Sequence, residues 1–368
     1  MVAVCVKSAY IHIPFCSNIC SYCDFAKVIY NQKLVSKYLD ALEQEIKMNY
    51  KNELLDTIYI GGGTPSALTV LELERLFKII KIFKSNSNLE FTIECNVNDI
   101  TVEKMNLFKE NGVNRISLGV QTFNEKTLKQ MNRNHTYELV KEKIDIIRNA
   151  GLSNISVDLI YAYPETTIDD LKRDLEKVFS LDVNHISTYS LIIEPHTILH
   201  INKVKNISEE LDYEMYKLIC NELKKNGFTH YEISNFAKEG YESKHNLTYW
   251  NNKEYYGFGL AASGYLNNIR YTNTRCFDSY LNDNYVYDEE KLTEKDKLIY
   301  ELILGLRKIN GISIDDVNQK YNINLLDNKL IKDLVLKNKL EVVNNCLKVP
   351  YDKIYVENEI LMELLDYE

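Results

Sequence analysis

Over the first 235 residues, short β-branched runs alternate with longer amphipathic stretches. SAYIHI (8–13), DTIYI (56–60), LEFTIE (89–94), RISLGV (115–120), NISVDLI (154–160) and HISTYSL (185–191) have the length and residue types of strands. Between them, LVSKYLDALEQEI (34–46), LTVLELERLFKII and TIDDLKRDLEKVF set apolar residues at three- and four-residue steps, the spacing of one buried helix face. Strands alternating with helices predict an α/β fold with a parallel sheet and right-handed crossovers. Six such units predict a partial TIM-like (β/α)6 barrel, in which functional residues gather at the C-terminal ends of the strands. Cys16, Gly61–Gly63, Glu94, Gln121 and Asp158 all fall at or near those ends.

The pattern breaks twice. Residues 236–288 lose the alternation and become rich in Asn, Tyr and Gly (HNLTYWNNKEYYGFGLAASGYLNN), which predicts an irregular segment closing the barrel or lining its mouth. Residues 289–368 read as helices (EKDKLIYELILGLRK, ISIDDVNQKY, LLDNKLIKDLVLKN), a small hairpin (LEVVNN, CLKVP) and a last helix, the order of a winged-helix-like domain. This part is not notably basic, so packing or protein contact is expected of it rather than DNA binding.

Composition narrows the classes. A chain of 368 residues that is 45% hydrophobic can bury a large core. Its formal net charge of −9, with no block of Lys or Arg, argues against a nucleic-acid partner. No apolar run is long enough to span a bilayer, and MVAVCVKSAYIHIPF does not read as a signal peptide. A cytoplasmic location is expected, where thiols stay reduced.

That matters because Cys16, Cys20 and Cys23 are spaced C-x3-C-x2-C. A structural zinc site wants four ligands, and no second C-x2-C pair follows. Three thiolates suit three irons of a [4Fe-4S] cluster and leave the fourth without a local ligand. Cys5, Cys95, Cys220, Cys276 and Cys346 are scattered, and most of them read as small buried residues. Gly61-Gly62-Gly63-Thr64-Pro65 follows a predicted strand, with more glycine than a plain turn needs, and no Gly-Lys-Ser/Thr makes it a phosphate loop. It predicts a loop that a ligand approaches closely. Glu94, Gln121, Arg133 and Asp158 are polar groups near strand ends that can bind an amino-acid cofactor: carboxylates take an ammonium or a diol, and an arginine takes a carboxylate.

These residues resemble a family. The cysteine motif and GGGTP are similar to those of the radical S-adenosylmethionine (SAM) superfamily. YIHIPFC, CDF, IGGGTPS, NRISLGVQTFN, SVDLIY, YEISNFAK and HNLTYW resemble its HemW branch, a relative of oxygen-independent coproporphyrinogen III oxidase. The resemblance implies that Cys16, Cys20 and Cys23 ligate a [4Fe-4S] cluster. It implies that SAM lies against Tyr10, Tyr22, Gly62, Gly63, Thr64 and Glu94, with Gln121, Arg133 and Asp158 continuing the surface. It also implies a heme chaperone that delivers heme to respiratory hemoproteins.

Two alternatives stand beside it: a radical SAM coproporphyrinogen III oxidase, and a non-catalytic iron-sulfur scaffold. The oxidase carries a further cysteine two residues after the third ligand, where this chain has Phe25, and a longer segment before its cluster motif. Decarboxylation is therefore disfavoured, and whether SAM is cleaved is left open, as is membrane contact through a respiratory partner. For the heme iron, the resemblance makes His245 of HNLTYW the first axial-ligand candidate, with Cys276 behind it and Tyr249, Trp250, Tyr255, Tyr256 and Phe258 as an apolar surface or as core. His135 is expected to orient Arg133 or to cap the next helix. Where the family has a Gly-Ala-His stretch, this chain has Ala261-Ala262-Ser263.

Overall fold

A computed structural model describes residues 6–367. All six expected strands form: β1 (Ser8–Ile13), β4 (Leu54–Gly62), β5 (Lys84–Asn96), β6 (Arg115–Gln121), β7 (Asn154–Tyr161) and β8 (His185–Ser190). Between β1 and β4, two short parallel strands, β2 (Phe15–Cys16) and β3 (Val28–Ile29), close a loop. The six long strands are parallel neighbours in chain order. The crossover helices start on side chains that cap their free N–H groups: Asn31, Thr69, Thr101, Thr136 and Thr167 each accept from the first turn. Thr69 with Glu72, and Thr167 with Asp170, complete reciprocal capping boxes.

The sheet is wider than six strands. β9 (Thr229–Glu232) and β10 (Asn235–Ala237) add antiparallel strands beyond β8, and β11 (Tyr256–Phe258) adds a parallel strand beside β1. The order is β11-β1-β4-β5-β6-β7-β8-β10-β9. β9 and β11 are its two edges, so the barrel is open.

Residues 236–288 are therefore not irregular. They hold the helix Lys244–Trp250, β11 and two strands of a three-stranded antiparallel sheet, Ser263–Leu266 and Ile269–Asn273; the third is Val286–Lys291. The expected divisions after 235 and 288 both fall inside strands. After Thr293 come the helix Glu294–Gly305, the strand Ile312–Ser313, the helices Ile314–Tyr321 and Lys329–Leu336, and the strands Glu341–Val343 and Cys346–Lys348. That is the element order of a winged helix. It is tied to the barrel by Ile233 N–H donating to the Arg307 carbonyl (3.2 Å).

The strands alternate, but the faces differ from those of a plain apolar barrel. One face carries Ile11, Ile13, Ile58, Ile60, Phe91, Ile93, Ile116, Leu118, Ile155, Val157 and Ile186, buried under the helices. Each such side chain contributes roughly 1.5–3 kcal/mol by leaving water. The other face carries Ser8, His12, Thr57, Glu90, Thr92, Arg115, Ser117, Ser156, His185 and Ser187, and these are buried too. The apolar core lies between sheet and helices, and the lumen is polar. Buried polar groups need partners, and the lumen histidines have them: His185 bonds to Ser156 and Tyr231 (both 2.8 Å), and His245 to Thr57 (2.8 Å) and Tyr249 (2.7 Å).

Candidate functional site

The C-terminal ends of the strands surround a cavity of about 440 Å3. Cys16, Cys20 and Cys23 line it, with Tyr22, Gly62, Gly63, Thr64, Glu94, Gln121, Arg133 and Asp158. Eleven of the thirteen residues expected to hold cluster, SAM or heme thus share one cavity; Tyr10 and His245 do not line it.

The cysteine loop is anchored at its ends. Val28 N–H donates to the Pro14 carbonyl (2.7 Å) and Tyr30 N–H to that of Cys16 (2.9 Å). His12 Nε2 lies 2.8 Å from the Ala26 carbonyl, a tie that the sequence alone did not reveal. Burial pushes the Cys16 thiol up to about 11 and also raises Cys23. A buried thiol that is hard to ionise alone is a thiolate once metal supplies positive charge. Among the described residues, no three His, Cys, Asp or Glu side chains converge on a single metal ion. The three thiols line one cavity, and three thiolates suit three irons of a [4Fe-4S] cluster.

The glycine loop lies against that wall. Gly63 N–H donates to the Ile13 carbonyl (2.9 Å), Thr64 N–H to that of Phe15 (2.8 Å), and the Thr64 hydroxyl sits 3.6 Å from the Cys16 sulfur. Gly62 has φ +115°, and a Cβ there would lie 2.7 Å from the His12 ring. Glycine is what lets the two loops touch.

Glu94 accepts from Tyr59 (2.8 Å) and from Gly62 N–H (3.1 Å), and burial raises its carboxyl to about 7. Asp158 accepts from Ser117 (3.0 Å) and is likewise raised by burial. Arg133 donates to the Gly119 carbonyl (2.8 Å) and stands beside Tyr22 and Cys20, while its buried Nε has no partner. Gln121 holds φ +71°, rare for a side chain of its size, at a bulge between β6 and β7. The cradle thus fits a cluster and an amino-acid cofactor: clustered thiols, two carboxylates and a guanidinium with a donor to spare.

The heme-ligand expectation meets a different arrangement. His245 is 1% exposed, stacks on Tyr59, and has both ring nitrogens hydrogen-bonded; burial lowers it to about 3. No nitrogen is left for iron. The HNLTYW helix plugs the N-terminal end of the barrel, its first N–H groups donating to the Glu90 carboxylate (Lys244 3.0 Å, His245 2.9 Å). Tyr256 and Phe258 are core, and Cys276 is exposed outside the cavity. Tyr10 bonds to His12 Nδ1 (3.0 Å) behind the lining. Thr136, not His135, caps the helix that follows; His135 is buried near Arg133.

Known proteins resemble this chain in sequence and in fold. A family model described as the radical SAM superfamily matches residues 10–178. The heme chaperone HemW of Lactococcus lactis subsp. lactis is 44% identical over 323 residues, covering 86% of this chain and 85% of that one. The chain belongs to the HemW family. The Bacillus subtilis heme chaperone HemW is 38% identical, over 96% of this chain and 98% of its own length. The fold is that of coproporphyrinogen III oxidase (HemN) from Escherichia coli, with a TM-score of 0.86 over 98% of this chain and 90% of that one, at 22% identity. Among the described residues, no helix is long and apolar enough to cross a membrane. Arg115, Ser117, Ser187 and Tyr189 also line the cavity and were not among the expected site residues. Only the two-residue alternation of polar side chains within β6 and β8 could have pointed there.

Proposed function

We propose that this chain is a heme chaperone that binds a [4Fe-4S] cluster and SAM and passes heme to acceptor hemoproteins. What carries the reading is the convergence of three thiols, a glycine loop and two half-buried carboxylates on one cavity in a HemW-family chain.

Cys16, Cys20 and Cys23 would hold the cluster, with one of its irons left without a protein thiolate. Glu94 and Asp158 would take the ammonium and the ribose hydroxyls, and Arg133 the carboxylate. Bound and reduced, such a cluster supplies one-electron chemistry toward the sulfonium. The protein's part is orientation and exclusion of water: the glycine loop fixes the distance between cofactor and thiols, and the buried walls keep the carboxylates desolvated.

Phe25 and Ile192, 68% and 67% exposed, belong to the cavity's lining and offer an apolar rim to a flat macrocycle. Heme added to anaerobically reconstituted protein is expected to bind at about one per chain. A titration showing no heme bound would falsify the chaperone reading. Acceptors of respiration are the expected recipients, and transfer to an apo-hemoprotein, followed by its Soret band, tests that step.

A further inference from the structure

Arg115 opens β6, at the end of the barrel away from the cysteines. Gln121 closes the same strand at the mouth, six residues or roughly 20 Å away. Arg115 is 2% exposed, yet its side chain lines the cavity that also touches Cys16. Among the described residues no carboxylate lies within ion-pair distance of its guanidinium, and its buried Nε has no hydrogen-bond partner. Glu94 and Asp158 feel its charge from farther off.

A buried guanidinium without a contacting anion is costly. Glu94 and Asp158 act on it only from beyond ion-pair distance. The nearby imidazoles of His185 and His245 are kept neutral by burial and by Arg115 itself. Arg115 is therefore the fixed positive charge of the deep lumen, and the hydroxyls of Ser117 and Ser187 stand on the same wall. A planar fork with free donors matches a carboxylate, which can accept two parallel N–H bonds.

We propose that Arg115 anchors a carboxylate-binding subsite at the floor of the lumen, which receives a free carboxylate of a ligand entering from the mouth. This rests on the reading that the lumen is a ligand site and deepens it. Two ligands of that reading carry such a group: SAM and the propionates of heme. The depth of Arg115, and the presence of Arg133 nearer the cysteines, favour the propionate.

The test compares wild type, Arg115→Gln and Arg115→Lys, each anaerobically reconstituted, for binding of SAM, hemin and hemin dimethyl ester. Far-ultraviolet circular dichroism and melting curves establish folding, and Arg115→Lys serves if the glutamine variant does not fold. Loss of hemin affinity by about tenfold or more, with the ester unaffected, is expected. An equal loss for SAM alone supports the subsite but assigns it to the cofactor. A merely structural role would weaken hemin and its ester together, and that result overturns the proposal. So does a folded variant that binds SAM and hemin as wild type does. Wild type that binds SAM but no heme sinks the chaperone reading, while the SAM comparison still decides the subsite. Wild type that binds neither overturns both.

Discussion

Gly63 runs so close to Cys16 that a Cβ on the glycine would lie 2.9 Å from the cysteine sulfur and 2.8 Å from the Pro14 carbonyl group. The glycine loop and the cysteine loop are therefore one packed unit. Gly63→Ala must push the two apart. We expect a loss of about 1–3 kcal/mol of stability from the overpacking and a cluster bound in poor yield. Denaturant unfolding and iron and sulfide content check both, and a variant with wild-type yield would break the link between the loops.

Cys20→Ser is expected to remove the brown chromophore and leave the fold. The loop is held by backbone bonds at Pro14 and Cys16 and by His12 on Ala26, ties that do not use the Cys20 side chain. Apo-protein stability should stay within about 0.5 kcal/mol of wild type. A full four-iron Mössbauer spectrum from this variant would count against the ligand assignment.

Glu94 sets a pH dependence. Its carboxyl is raised to about 7, above the ordinary 4.5, by burial. In the ligand-free protein its contribution to stability is thus fully present below about 4.5 and lost as pH rises through about 7. Binding a cation asks for the opposite protonation state. SAM affinity is expected to rise with pH up to about 7 and then level off, and Glu94→Gln should bind SAM weakly at every pH. Calorimetric titration between pH 6 and 8 in buffers of different ionisation enthalpy would also detect proton release; a flat profile in wild type removes Glu94 from the cofactor site.

His245→Ala separates the plug from a heme ligand. It leaves the Thr57 and Tyr249 hydroxyls without their partner and opens a cavity at the barrel floor. We expect a loss of about 2–4 kcal/mol, with heme stoichiometry and Soret position unchanged in protein that remains folded. A shifted Soret band would restore His245 to the iron.

The six strands, the helices between them and the winged-helix order were legible because each is a local property. A periodicity of two or of about 3.6, or a capping threonine, is written in consecutive residues. The cysteine spacing and the glycine run were legible for the same reason, and their places at strand ends put most of the site at one mouth. β11 escaped because three residues, Tyr256–Phe258, carry too little pattern; pairing with β1 makes them a strand.

What the chain by itself determined is which residues alternate, and which must be near one another in sequence to share a metal. Only the tertiary structure decided what the polar half of that alternation faces. His245 meets Thr57 across 188 residues, and Arg115 shares a cavity with Cys16 although one lies at the deep end of its strand and the other beyond the mouth. The physical reason is that a side chain's partners in a curved sheet come from strands far away in the chain. Whether a buried histidine is a ligand or a plug, and whether a buried arginine is paired or free, depends on that closure and not on its neighbours in sequence.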